Sequence, residues 1–97
     1  MSKIICASIH FDDDNIYPHQ PKNIVSGFVL SGHRHCNCIA NLVVFNKRMS
    51  DYKIKTQGFL TSDNRFVDRK EAMIIAKREN QLINKTNSDT LFSEDLY

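Results

Sequence analysis

The sequence predicts an α+β fold, a small antiparallel sheet of about four strands with two helices packed on one face. Three observations lead there. Ile5, Ala7 and Ile9 alternate with Cys6, Ser8 and His10, the period of a strand with one buried face. From His33 the apolar positions change to helical spacing. The stretch from Gly58 to Ala72 then passes from an alternating run through a polar turn to a helix start.

Taken in order, residues 3–11 form the first strand. Residues 12–23 hold three consecutive aspartates, two prolines and no apolar period, and read as an exposed loop. The acidic triplet lacks the Gly and closing Glu of a calcium loop. Residues 24–30 return as the second strand, which Ser31 and Gly32 then break. A helix is expected over 33–46. Cys36, Ile39, Ala40 and Val43 form its buried stripe, widened by Cys38, Leu42 and Phe45, with Arg34, Asn37 and Asn41 on the remaining face. The charged stretch 47–55 is a loop.

Residues 57–61 make the third strand and 65–67 the start of a fourth, joined by the turn Ser62-Asp63-Asn64. Asp68 followed three residues later by Glu71 is a capping pair. The Asp carboxylate accepts from first-turn N–H groups, while Glu71 reaches back to the cap N–H. The second helix runs over about 69–81, with Ala72, Met73, Ile75 and Ala76 inward and Lys70, Lys77 and Arg78 outward. Leu82 and Ile83 either close it or add a short strand, and residues 84–90 are polar and turn-like. The apolar side chains in Leu91-Phe92-Ser93-Glu94-Asp95-Leu96-Tyr97 predict a tail that docks.

No composition shift or repeat divides the chain, so residues 1–97 read as one domain. A chain of 97 residues leaves much of its surface exposed, and self-association is a common way to complete such a core. Thirteen basic residues against eleven acidic ones give a net charge of +2, too little to argue for long nucleic acid or a membrane. Cys6, Cys36 and Cys38 are an odd set, two of them one residue apart, which fits a reducing cytoplasm better than a secreted disulfide framework. The N-terminal apolar run is too short for a signal peptide, and no stretch reaches the length needed to span a bilayer.

Two clusters are equipped for binding. At the first helix start, Arg34 offers a planar guanidinium to a phosphate or a base, with His33 and His35 as further donors or ring faces, beside free first-turn N–H groups. In the second, Arg65 and Arg69 can form a cationic clamp beside Asn64 and the Thr61 hydroxyl, with Phe59 supplying an aromatic face. Each residue also has a plain structural use: Phe59 and Phe66 as core, Arg65 as turn surface, Arg69 pairing with Asp68 or Glu94. His33, His35, Cys36 and Cys38 are all types that zinc accepts. Their spacing is wrong for the common sites, since neighbours diverge by about 100° on a helix. No metal and no cofactor is expected, and Cys36 and Cys38 read as small buried apolar residues.

Catalytic equipment is thin. There is no serine nucleophile elbow, Walker loop or paired-carboxylate pattern. Gly58 with Arg69-Lys70-Glu71 invites comparison with a Nudix box, but the closing Glu-Glu pair is missing. Cys36 beside His35 lacks an orienting third group. The expectation is a binding protein and not an enzyme.

The His-Arg-His helix start, the block Gly-Phe-Leu-Thr-Ser-Asp-Asn-Arg-Phe-Val-Asp-Arg-Lys-Glu-Ala and the tail Ser-Glu-Asp-Leu together resemble the first family of Thoeris anti-defence proteins of phages. The resemblance covers residues 31–41 and 57–97 and leaves 1–30 unmatched. It implies a phage sponge that sequesters a bacterial immune signal without cleaving it. That signal would be a cyclic ADP-ribose isomer or, as in CBASS-type immunity, a cyclic oligonucleotide. It further implies a cytoplasmic homo-oligomer built from dimers, with a hexamer as one form. The ligand contacts it implies are Arg34, Phe59, Thr61, Asn64, Arg65 and Arg69. A zinc-stabilised interaction module and a small nucleotide hydrolase are the alternatives.

Overall fold

A computed structural model describes residues 2–84 and 88–97. Its elements are β1 (Ile4–Asp12), β2 (Phe28–Gly32), α1 (His35–Val44), β3 (Ile54–Thr61), β4 (Phe66–Asp68) and α2 (Arg69–Arg78), with short 3-10 turns at Met49–Asp51 and Ser93–Asp95. The strands form one antiparallel sheet in the order β2-β1-β3-β4. The α+β expectation holds.

The register places both helices on one face. Ala7 pairs with Gly32 and Phe59, and Phe59 with Val67, so their side chains share a side of the sheet. Against that side α2 buries Ala72, Met73, Ile75 and Ala76 over Ile4, Ala7, Phe59 and Val67, joined by Leu91 and Leu96 of the tail. Over the other half α1 buries Cys38 and Leu42 against Ile9 and Phe11, with Phe28, Leu30 and Tyr52 around them. Asp68 caps α2 as expected, its carboxylate accepting from the Glu71 N–H at 2.8 Å. The Glu71 carboxylate meets the Arg65 guanidinium at 3.4 Å, where a reach back to the cap was expected.

Other expectations shift too, beginning with the third strand, which starts at Ile54 within the stretch expected to be loop. Residues 24–27 do not join the second strand: Val25 is 85% exposed, and pairing begins only at Phe28. The cause is Gly27, which has φ of 79° and lies so close to β1 that a Cβ there would sit 2.2 Å from the Phe11 carbonyl oxygen. The chain must pass that point before it can enter the ladder. The buried stripe of the first helix is Cys38 and Leu42, with Ile39 half-buried, while Cys36, Ala40, Val43 and Phe45 face solvent. Thus of the two cysteines expected to be buried only Cys38 is. Finally, Leu82 and Ile83 form neither helix nor strand. The helix ends at Glu79, Asn80 takes a φ of 56°, and the Ile83 N–H donates to the Asp95 carbonyl. The expected turn over 84–90 falls in part on residues 85–87, outside those described.

The loop between β1 and β2 crosses to the far edge of the sheet. There the Asn23 side chain accepts from the Phe66 N–H at 2.8 Å and donates to the Phe66 carbonyl at 2.7 Å. One amide thus satisfies both backbone groups of Phe66, on an edge strand that would otherwise invite pairing.

Candidate functional site

The seam between the two helix starts gathers the charged groups. Arg34 precedes α1, its backbone N–H held by the Asn37 side chain at 2.9 Å. Arg69 is the first residue of α2, placed beside Gly58 by the pairing of Gly58 with Asp68. The tail, Leu91 to Tyr97, runs along both. The Arg69 guanidinium donates to the Leu91 carbonyl at 2.8 Å and to the Gln57 side chain at 2.5 Å, and lies 4.8 Å from the centre of the Phe92 ring. The Arg34 guanidinium donates to the Ser93 hydroxyl at 3.3 Å and to the main-chain oxygen of Tyr97, and stands 5.2 Å from the Tyr97 ring. Both cations therefore combine hydrogen bonds with an aromatic face, as the planar guanidinium allows.

His35 links the two. Its Nε2 is 2.8 Å from the Gly58 carbonyl, which can only accept, so Nε2 carries the proton. Its Nδ1 then offers a lone pair to Arg69 Nη2 at 3.5 Å. Burial lowers the His35 pKa from its ordinary 6.5. The Gly58 bond and Glu94 pull it back, and Arg69 pushes it down. The ring is neutral at neutral pH and sits edge-on to Phe59, with centroids 5.1 Å apart. Burial also lowers the Arg69 pKa, with Glu94 opposing, and the group stays cationic.

The remaining expected site residues lie elsewhere or have other work. Phe59 is fully buried in the core beneath α2 and has no face left for a base. Thr61 is buried, and its hydroxyl locks the turn by accepting from the Arg65 N–H at 3.1 Å and bonding Asp63. Asn64 occupies the turn with φ of 62°. Arg65 is paired with Asp63 at 3.1 Å and Glu71 at 3.4 Å, so two carboxylates neutralise it. Arg65 and Arg69 do not form a clamp: the strand between them sends one to the hairpin turn and the other to the seam. His33 packs on the Tyr97 ring, with centroids 4.3 Å apart, and its carbonyl accepts from the Tyr97 hydroxyl at 2.6 Å.

Of the residues expected from the sequence, the seam brings together Arg34, His35 and Arg69, and it adds Gln57, Phe92, Ser93 and Tyr97, which the sequence did not single out. Gln57 was within reach, since it alternates with Phe59 and must share its face. His33, His35, Cys36 and Cys38 point to four different surroundings. Among the described residues no group of three His, Cys, Asp or Glu side chains is placed to hold a metal. The Cys38 thiol, buried against the Ala7 carbonyl, is pushed up to about 11 and is protonated at neutral pH.

The chain is a four-stranded α+β fold with a cationic, aromatic-flanked seam, and no helix among the described residues is long and apolar enough to cross a membrane. It belongs to the phage T4 y16D protein family, whose model matches residues 3–97. No curated protein and no solved structure matches it.

Proposed function

We propose that this phage protein captures a nucleotide-type immune signal, a cyclic ADP-ribose isomer or a cyclic oligonucleotide, and holds it without cleavage. It acts as a homo-oligomer in the cytoplasm of the infected cell. The observation that carries this reading is the convergence of Arg34, His35 and Arg69 at two helix starts, where both guanidiniums grip main-chain oxygens of the tail. Those oxygens stand where a ligand's phosphate oxygens would. Charge-assisted bonds of this kind contribute roughly 1.5–3 kcal/mol each. A phosphate taking over both cations recovers that energy through bidentate contacts. Phe92, 47% exposed and already stacked on Arg69, supplies a ring for a base.

The chemistry around the seam supports holding over cleaving. His35 spends its proton on Gly58 and its lone pair faces a cation, which leaves it a poor general base. Gln57 and Ser93 are already engaged, each accepting from one of the two guanidiniums.

The test is incubation with cyclic ADP-ribose isomers and cyclic di- and trinucleotides, followed by denaturation. Depletion of free ligand and recovery of the same molecule is expected. An altered product would identify the nucleotide hydrolase instead, and stoichiometric zinc in the purified protein would favour the interaction module.

A further inference from the structure

The outer face of α1 is built to be covered. Residues 35–46 contain no Asp, Glu, Lys or Arg, although only Cys38 and Leu42 of α1 are buried in the core. The solvent side carries Cys36, Ala40 and Val43 at the i, i+4, i+7 spacing of one helical face, flanked by Val44, while the exposed Phe45 is the C-cap residue beyond the helix. Val43, Val44 and Phe45 are 64%, 76% and 67% exposed. The other exposed helix face, on α2, carries Lys70, Lys77 and Arg78 around a single Ile74. Only α1 is without charge on both sides, its exposed polar residues being Asn37 and Asn41.

We infer that this face is the contact with a second copy of the same chain, two α1 helices packing antiparallel about a two-fold axis. Self-complementarity is the first reason. The N-terminal half of the face is small (Cys36, Ala40) and the C-terminal half larger (Val43, Val44), so an antiparallel pair sets the larger half of each helix over the small half of the other.

Area is the second. With Val43 and Val44 mostly exposed and Cys36 and Ala40 beside them, this patch offers on the order of 300 Å² of apolar surface from each copy. A standard interface takes about 800 Å² from each partner, about two-thirds of it apolar in homodimers. The patch supplies about half of that apolar centre.

Charge is the third. Lys47 and Arg48 end the face, beside a depression of about 300 Å³ that they line with Val43 and Asn46. No charged side chain lies along the face itself, so packing two copies there buries no unpaired ion. The antiparallel arrangement also places the two ligand seams at opposite ends of one shared helix pair.

This inference specifies the self-association proposed above and is independent of which ligand is captured. Light scattering after size exclusion, over a series from micromolar to sub-millimolar protein, is expected to show a dimer. Maleimide labelling of Cys36 should slow as the dimer forms. Ala40→Arg is expected to raise the dissociation constant at least about tenfold while circular dichroism stays that of the native chain. Val43→Glu serves the same purpose if the first variant does not fold. A wild type that stays monomeric throughout, or a folded variant that dimerises as the wild type does, overturns the inference. Ligand depletion measured on the same samples reports separately on capture.

Discussion

Arg69 and His35 are locked by a directional arrangement: Arg69 Nη2 points to His35 Nδ1 at 3.5 Å, while the opposite ring nitrogen donates to the Gly58 carbonyl at 2.8 Å. The arrangement works only with a neutral imidazole, because a proton on Nδ1 would face a guanidinium. Burial favours the same neutral form.

A pH dependence follows. The folded-state pKa of His35 lies below its unfolded value of 6.5, so the unfolded chain binds the proton more readily. Stability is then fully present above about pH 6.5 and is lost as pH falls from there through the folded pKa. Thermal unfolding at pH 7.5 and at pH 5.5 should show a drop in Tm for the wild type. The drop should be smaller for His35→Gln, which keeps a donor for Gly58 and cannot charge. An equal drop in both would remove His35 as the cause. The carboxylates of Asp12, Asp13 and Asp63, all held low chiefly by side-chain hydrogen bonds, lose their contributions only at more acidic pH.

Arg69 ties the tail to α2. Arg69→Ala removes the bonds to Leu91 and Gln57 and the contact with Phe92, and should cost about 2 kcal/mol in urea unfolding. The tail should become sensitive to limited proteolysis ahead of the rest. Arg69→Lys should restore little of this, because one ammonium cannot reproduce the planar fork and the ring contact. A tail as resistant as that of the wild type would show that Leu91 and Leu96 alone hold it.

Gly58 has no room for a side chain. A Cβ there would lie 2.1 Å from the Val67 carbonyl oxygen and 2.8 Å from the tip of the Phe66 ring. Backbone cannot yield as a flexible side chain does, so Gly58→Ala should destabilise by about 2 kcal/mol or more in the same unfolding measurement. It should also loosen His35, whose acceptor moves with β3. A change below about 0.5 kcal/mol would contradict this packing.

What the sequence disclosed and what it hid have physical reasons. The α2 face was legible because Lys70, Lys77 and Arg78 mark the solvent side of that helix and so fix the phase of its apolar residues. In α1 no charge marks the outside, so Cys36, Ile39, Ala40 and Val43 looked as good a buried stripe as Cys38 and Leu42. Val25 is β-branched and lies in an apolar run, yet the close approach of Gly27 to Phe11 keeps it out of the ladder. Arg34 and Arg69 could be named as binding groups from their places at helix starts. Their partners Ser93, Tyr97 and Leu91 lie 22 to 63 residues further on, a distance over which local periodicity carries no information.

The sharpest test is equilibrium depletion of a cyclic ADP-ribose isomer or cyclic oligonucleotide by the purified protein, with the Arg34→Ala, Arg69→Ala double variant as control. Capture predicts that the wild type removes the ligand and releases it unchanged on denaturation, while the double variant, still folded, leaves at least about tenfold more of it free. No depletion by the wild type, or equal depletion by both proteins, would contradict capture at this seam.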